Sequence, residues 1–273
     1  MNSSQKKAFY YHADANALGG VVNHPIARTI STPGAISLAP AGGFSSTRVE
    51  RFDADGMVSF ESAQVSVSGI EHAEGGGWRS LATATIEGLN LFEVVTADRI
   101  VAQVSVLHPP DDAPSETSFN GSQFVNLRIN GDSVKPIVDR RVLMGRPADD
   151  GKAVRRNGVP FSELLWVAGE QFVAWRESGV EKLGPRFVMS GPEADLVRKG
   201  SALCSLVRGV EVEAPAQAYC HVINIPDFGN IFLGEMLVSR FSVQLTMLRA
   251  EMGSLAGGVG TVGTVSSNGS TVP

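Results

Sequence analysis

Cysteine is scarce in this chain of 273 residues, where only Cys204 and Cys220 occur. Two thiols cannot build a disulfide framework, nor a thiolate zinc site on their own. A buried core must therefore hold the fold, and both cysteines, each in an apolar run, are expected to pack as small reduced hydrophobes, with a disulfide between adjacent strands as the alternative. Charge is sparse as well. Charged residues make up 19% of the chain and the formal net charge is -5. The 23 basic residues are scattered apart from Arg140-Arg141 and Arg155-Arg156, which argues against a basic face for nucleic acid. No run approaches the roughly 18 apolar residues that a membrane-spanning helix needs, so no membrane span is expected. Lys6 and Lys7 are followed by no apolar stretch, because Tyr10, His12, Asp14 and Asn16 interrupt it. A cleavable secretory signal is thus not expected, and the location inferred is cytoplasmic, with a cell-surface or extracellular site as the alternative.

Motifs that carry chemistry are equally thin. There is no G-x-S-x-G elbow, no Walker loop and no H-E-x-x-H pair. His12, His24, His72, His108 and His221 are dispersed and read as solvated loop histidines. Gly258, Gly260 and Gly263 match the letters of a dinucleotide fingerprint, but too few residues follow to supply its helix and second strand. The expectation is a protein that is not an enzyme and needs no cofactor.

What is present is alternation. Hydrophobic residues reach 43% of the chain, in short runs separated by turn residues, the pattern of many short antiparallel strands. Val222 to Ile225 alternates, Pro226-Asp227-Phe228-Gly229 supplies a turn, and Ile231 and Leu233 begin a returning strand. Gly234 to Ser239 reads either as a bulged continuation or as a short helical turn. Phe241, Val243, Leu245 and Met247 then mark the apolar face of a third strand. Upstream, Val58 and Phe60 slip out of phase with Val65 and Val67 at Glu61 to Ala63, as a bulge makes them slip. Ala82, Ala84 and Ile86 form one face, Gly88-Leu89-Asn90 is expected to turn the chain, and Ile100, Ala102, Val104 and Val106 form another. Asn130-Gly131 is the strongest hairpin signal. Residues 160–200 read both ways: Pro160, Ser162 and Glu163 resemble a helix start, yet Phe172, Ala174 and Arg176 alternate against Val173 and Trp175. A short helix is expected within 191–200, where Pro192 and two acids open and Arg198, Lys199 and Gly200 close.

The fold expected is all-β: an antiparallel sandwich or barrel-like core with Gly/Pro/Ser-rich terminal arms and one or two short helices. Its divisions are an extended arm at 1–50, a first β subdomain at 51–145, a second subdomain or a continuation of the same sheet at 146–253, and a Gly/Ser-rich tail at 254–273. The linker at 145–158 is the candidate boundary.

Two weak sites can be named. Trp166, Phe172 and Trp175 form a possible stacking platform for a glycan, and Asp53 and Asp55 resemble half of a calcium loop that lacks its distal glutamate. The blocks GLNLFEVVTADRIVAQVSV (Gly88 to Val106) with FVNLRINGDSV (Phe124 to Val134), and Ile225 to Gly253, resemble hypothetical bacterial proteins that share these patterns. The first block is also similar to exported, choice-of-anchor type surface proteins. The resemblance implies an all-β bacterial protein and no catalytic residue.

The functional expectation is a structural, self-associating protein whose terminal arms add strands to neighbouring copies. The alternative is a carbohydrate or small-ligand module that uses the 108–122 loop and the aromatics of 161–175.

Overall fold

A computed structural model describes residues 8–72, 76–110, 113–145, 158–179, 201–239, 242–253 and 256–272. The strands form two main antiparallel sheets. The first runs β4 (Gly43–Ala54), β5 (Val58–Glu71), β6 (Trp78–Leu91), β7 (Val95–His108), β10 (Arg128–Ile129), β11 (Asp132–Ser133). Beside β7 lie β8 (Glu116–Ser118), which pairs with β13 (Val159–Pro160), and β9 (Gln123–Val125). The second runs β16 (Gln217–Tyr219), β17 (Val222–Ile225), β18 (Gly229–Ser239), β19 (Val243–Met252), β20 (Gly257–Val272), β1 (Ala8–His24), β2 (Arg28–Ile30). There β3 (Ile36–Ser37) pairs with β1, and β14 (Ser201–Ser205) with β18. A separate ribbon joins β12 (Lys135–Val138) to β15 (Val207–Glu211). Two helices complete the described chain, α1 (Arg140–Met144) and α2 (Phe161–Ser178).

The two sheets face each other: β1 lies against β5 and β6, β20 against β6 and β7, and β19 against β7. One continuous core fills the space between, and it takes residues from Tyr11 to Val265. Val65 and Val67, Ala82, Ala84 and Ile86, and Ala102 and Val104 enter it from the first sheet; Ala13, Ala15, Leu245 and Val265 enter from the second.

The two chain ends expected as arms are interior strands of the second sheet, β1 and β20, and the rest of 1–50 supplies β2, β3 and the first eight residues of β4. Ala8 to His24 pairs with residues 257–272 over nearly their whole lengths, and β20 pairs on its other side with β19. In β1, Ala13, Ala15 and Ala17 are buried while the polar residues between them face outward. Alanine is the apolar member of that alternation, which permits close approach of the opposing sheet.

Several turns follow from local backbone demand. Asp227 and Gly229 have positive φ, and the β17–β18 hairpin closes as the sequence indicates. Asn130 and Gly131 do the same between β10 and β11. The turn expected at Gly88-Leu89-Asn90 is absent: β6 runs straight through it, and the reversal comes at Phe92 and Glu93, both with positive φ. Residues 161–178, which read two ways, are helical. The buried set Leu164, Val167, Ala168, Gln171 and Trp175 follows helical spacing, and the apparent alternation nearby was incidental. The helix expected in 191–200 and most of the 145–158 linker lie outside the described residues.

Gly88 has another use. In the first sheet the ladders break without a change of register across four strands, at Arg51, Glu61, Gly88 and Asp98, with Phe60 and Leu89 also unpaired between β5 and β6. The second sheet skips at Gly234, Met247, Gly263 and Ala17. At each skip the buried face changes parity: Val58 and Phe60 give way to Ala63 and Val65, and Leu248 and Ala250 to Leu245 and Val243. Every second strand of this seam carries a left-handed residue: Arg51 (φ 45), Gly88 (φ 65), Gly234 (φ 63) and Gly263 (φ 60). Such irregularities bend strands and sharpen twist. Gly234→Ala is expected to lower stability by about 2 kcal/mol, because a Cβ there meets Leu206 Cβ at 2.9 Å in a backbone state that alanine disfavours. A urea midpoint equal to that of the unchanged protein would contradict this.

Candidate functional site

The three aromatics singled out from the sequence do not form a platform. Trp166 and Trp175 are nine residues apart on α2, which at about 100° per residue places them on opposite faces. The Arg141 guanidinium lies 5.7 Å from the Trp166 ring centre. Trp175 is buried and packs on the His221 ring with centroids 4.6 Å apart. Phe172 is half-buried. Asp53 and Asp55 sit in the β4–β5 turn. There Asp53 Oδ1 accepts from the Gly56 amide at 2.6 Å, and Asp55 Oδ2 accepts from Arg28 Nε at 2.7 Å. Among the described residues no group of three His, Cys, Asp or Glu is placed to hold a metal. The two cysteines are free: Cys204 is fully enclosed, where burial pushes its thiol up to about 12, and Cys220 is half-buried.

Two polar networks escape sequence reasoning because their members meet only through the fold. In the first, Asp139 caps α1 by accepting from the Arg141 amide at 3.1 Å, and takes two further bonds from the Arg141 side chain at 2.9 and 2.7 Å. Gln171 Nε2 donates to Asp139 at 2.9 Å and to the Ser205 carbonyl at 2.7 Å, while its Oε1 accepts from the Ser205 amide. Burial pushes the Asp139 carboxyl up, but the bonds from Arg141 and Gln171 outweigh it and hold the carboxyl below the usual range. This network joins α1, α2 and β14, so it serves as a clamp between helices and sheet.

The second network depends on the seam. Phe232 and Glu235 are three residues apart, yet the skip at Gly234 puts both on the outer face, where Arg249 stands opposite Phe232. Arg249 donates from Nε and Nη2 to Glu235 at 2.5 and 2.7 Å, pairs also with Glu251, and lies 3.7 Å over the Phe232 ring. His221 is 2% exposed, and its Nε2 stands 3.6 Å from Glu235, beyond hydrogen-bond distance. Neither ring nitrogen of His221 has a hydrogen-bond partner among the described residues. Burial pushes the Glu235 carboxyl up, but His221 and Arg249 outweigh it and hold it at about 2.

The 108–122 loop meets the start of α2 at a polar niche. His108, Ser115, Thr117, Phe161, Ser242 and Ser267 line a cavity of about 10 Å³, room for a single water-sized molecule. Burial lowers the His108 imidazole to about 4, so it is neutral at pH 7. Both depressed groups act in the same direction. His108 in the unfolded chain takes a proton near 6.5 and in the folded chain only near 4; for Glu235 the corresponding values are 4.5 and about 2. Their stabilisation is complete above the unfolded values and is lost as pH falls through the folded ones. Urea midpoints are therefore expected to fall from pH 6.5 to 4 through His108, and further below 4.5 through Glu235. In His108→Gln the upper part of that slope should flatten. An unchanged slope would rule out the imidazole as its cause.

Among the described residues the 12-residue strand β4 has a sheet neighbour on one side only, β5. Phe44 is 72% exposed, and the Arg48 and Glu50 side chains, which pair with each other, are 60% and 67% exposed. A row of amides and carbonyls along such an edge is a template for strand addition.

A family model described as a domain of unknown function, DUF8256, matches residues 9–239. The chain belongs to this family. The DUF8256 match begins within β1 and ends at the last residue of β18, so β19 and β20, which complete the second sheet, lie beyond it. No curated protein and no solved structure matches the DUF8256 chain. Among its described residues no helix is long and apolar enough to cross a membrane.

Proposed function

We propose that this DUF8256 protein is a non-catalytic structural protein that self-associates by strand addition. The observation that carries the reading is the exposed edge of β4. The strands at the two chain ends are engaged within their own sheet, β1 with β20 and β20 with β19, so the surface offered to a second copy is this edge, whose residues 43–50 close the segment expected as the N-terminal arm. Main-chain pairing along an edge supplies affinity without a pocket. That agrees with a described interior whose polar niche has room for one water-sized molecule. The ligand-module alternative has less support, since Trp166 and Trp175 diverge and the niche beside the 108–122 loop is far smaller than the several hundred Å³ of ordinary ligand sites.

The test is the solution mass of the full chain by light scattering over a concentration series up to hundreds of micromolar. Mass is expected to rise with concentration. Replacement of Thr47 by proline, which removes an edge donor, is expected to suppress the rise or, if residue 47 donates to β5 instead, to unfold the edge. Arg48→Pro provides the complementary variant. A constant monomer mass for the unchanged chain would refute the proposal.

A further inference from the structure

The charge pattern of β4 specifies more than a sticky edge. Arg48 and Glu50 are two residues apart, so they share the outer face, with Val49 between them facing inward. When one copy of this strand pairs antiparallel with another, a two-fold axis fixes which residue stands opposite which. An axis at Arg48 places arginine against arginine, and an axis at Glu50 places glutamate against glutamate; like charges directly opposite oppose pairing. Axes between residues set the outward row of one copy against the inward row of the other. Only an axis at Val49 places each Arg48 opposite the partner's Glu50. The four charges then alternate in sign both along and across the strands, with like charges left on the diagonals.

We infer that β4 pairs with β4 of a second copy about a two-fold axis at Val49, stabilised by two exchanged Arg48–Glu50 pairs. This rests on the self-association proposed above and names its surface and register. Arg51 sets the extent: its left-handed backbone, φ 45, and the change of face beyond it end regular pairing, so the contact spans about five residues from each copy, 47–51. A contact of that size is well below the roughly 20–30 residues a side of a standard interface, so the pairing is weak and transient. The dimer is reversible and concentration-dependent, and because the charged pairs are exposed, salt weakens it.

The experiment uses the full chain carrying Cys220→Ser, which removes the accessible native thiol, with Val49→Cys added. Under mild oxidation a cross-linked dimer is expected, since the axis places residue 49 opposite its own copy at a separation that a disulfide spans. Adding Arg48→Glu is expected to lower the cross-linked fraction about tenfold, as two favourable pairs become two repulsive ones. The further change Glu50→Arg restores it, because the reversed pattern is again self-complementary. Should Val49→Cys disturb folding, a mixture of Arg48→Cys and Glu50→Cys chains reads the same register on the outer face, with the expected product a mixed dimer that keeps one Arg48–Glu50 pair. No cross-link by either route, in chains whose mass still rises with concentration, overturns the register and leaves self-association standing. A chain that remains monomeric overturns both. A cross-link insensitive to Arg48→Glu and to the double reversal overturns the role of the charges.

Discussion

A chain ending at Met252 is expected not to fold. Removal of residues 257–272 takes away β20, which is bonded to β19 on one side and to β1 on the other. The second sheet then divides at its centre, and β1 keeps only β2 and β3, which have 3 and 2 residues. Val262, Val265 and Ser267, all buried, leave with the strand, and Ser80 loses its 2.6 Å hydroxyl partner at Ser267. Two long edges and an opened core remain, a combination that favours aggregation over a folded monomer. Far-UV circular dichroism with urea titration is the check. A truncated chain with a sigmoidal transition like that of the full chain would show that β20 is dispensable. If the Gly/Ser-rich tail were a spare arm, the same deletion would change only the assembly state, so this measurement separates the two roles directly.

The second large effect is expected from Arg249→Met. Methionine keeps much of the side-chain volume over Phe232 but leaves Glu235, whose side chain is 10% exposed, with His221 at 3.6 Å as its remaining basic neighbour. Removing one member of a buried pair costs more than removing both, because the survivor keeps its desolvation penalty. A loss of about 3 kcal/mol is expected at pH 7. The double variant with Glu235→Gln should recover part of it. The sign with pH is also fixed: without Arg249 the carboxyl no longer sits near 2, so it takes up a proton more readily, and the defect shrinks as the solution is acidified. Urea midpoints of the single and double variants at pH 7 and pH 5 test this. A single variant no less stable than the double would mean that the ion pair is incidental.

Much of the sheet was legible where one residue type meets one local requirement. Asn130-Gly131 and Asp227 with Gly229 mark reversals because few residues tolerate the left-handed region. The slip between Phe60 and Ala63 is written directly in the apolar spacing. The terminal strands were hidden because composition masked period. In β1, Ala13, Ala15 and Ala17 alternate with Asp14 and Asn16, but alanine scores as a weak apolar residue, and the glycines, serines and threonines of β20 resemble a linker. The helix α2 was hidden by Gly169, which faces open space and is tolerated there, and by an accidental two-residue rhythm at 172–176. The polar networks lie further from reach. Glu235 and Arg249 come together only once β18 and β19 adopt their register and the skip at Gly234 rotates Glu235 outward; neither condition is local to either residue.

The seam also constrains how such a chain can change in length. A single deletion beside Gly88 restores an unbroken alternation in β6 while β5 and β7 keep their skip, so half of one strand would present its polar row to the core. An insertion within the strand does the same in reverse. Length changes of one residue are therefore confined to the turns at the ends of the sheets, and the distance from each turn to the seam is a fixed measure. Four neighbouring strands must share any change to that measure, which makes each creased sheet, rather than the single strand, the smallest unit that can be altered independently.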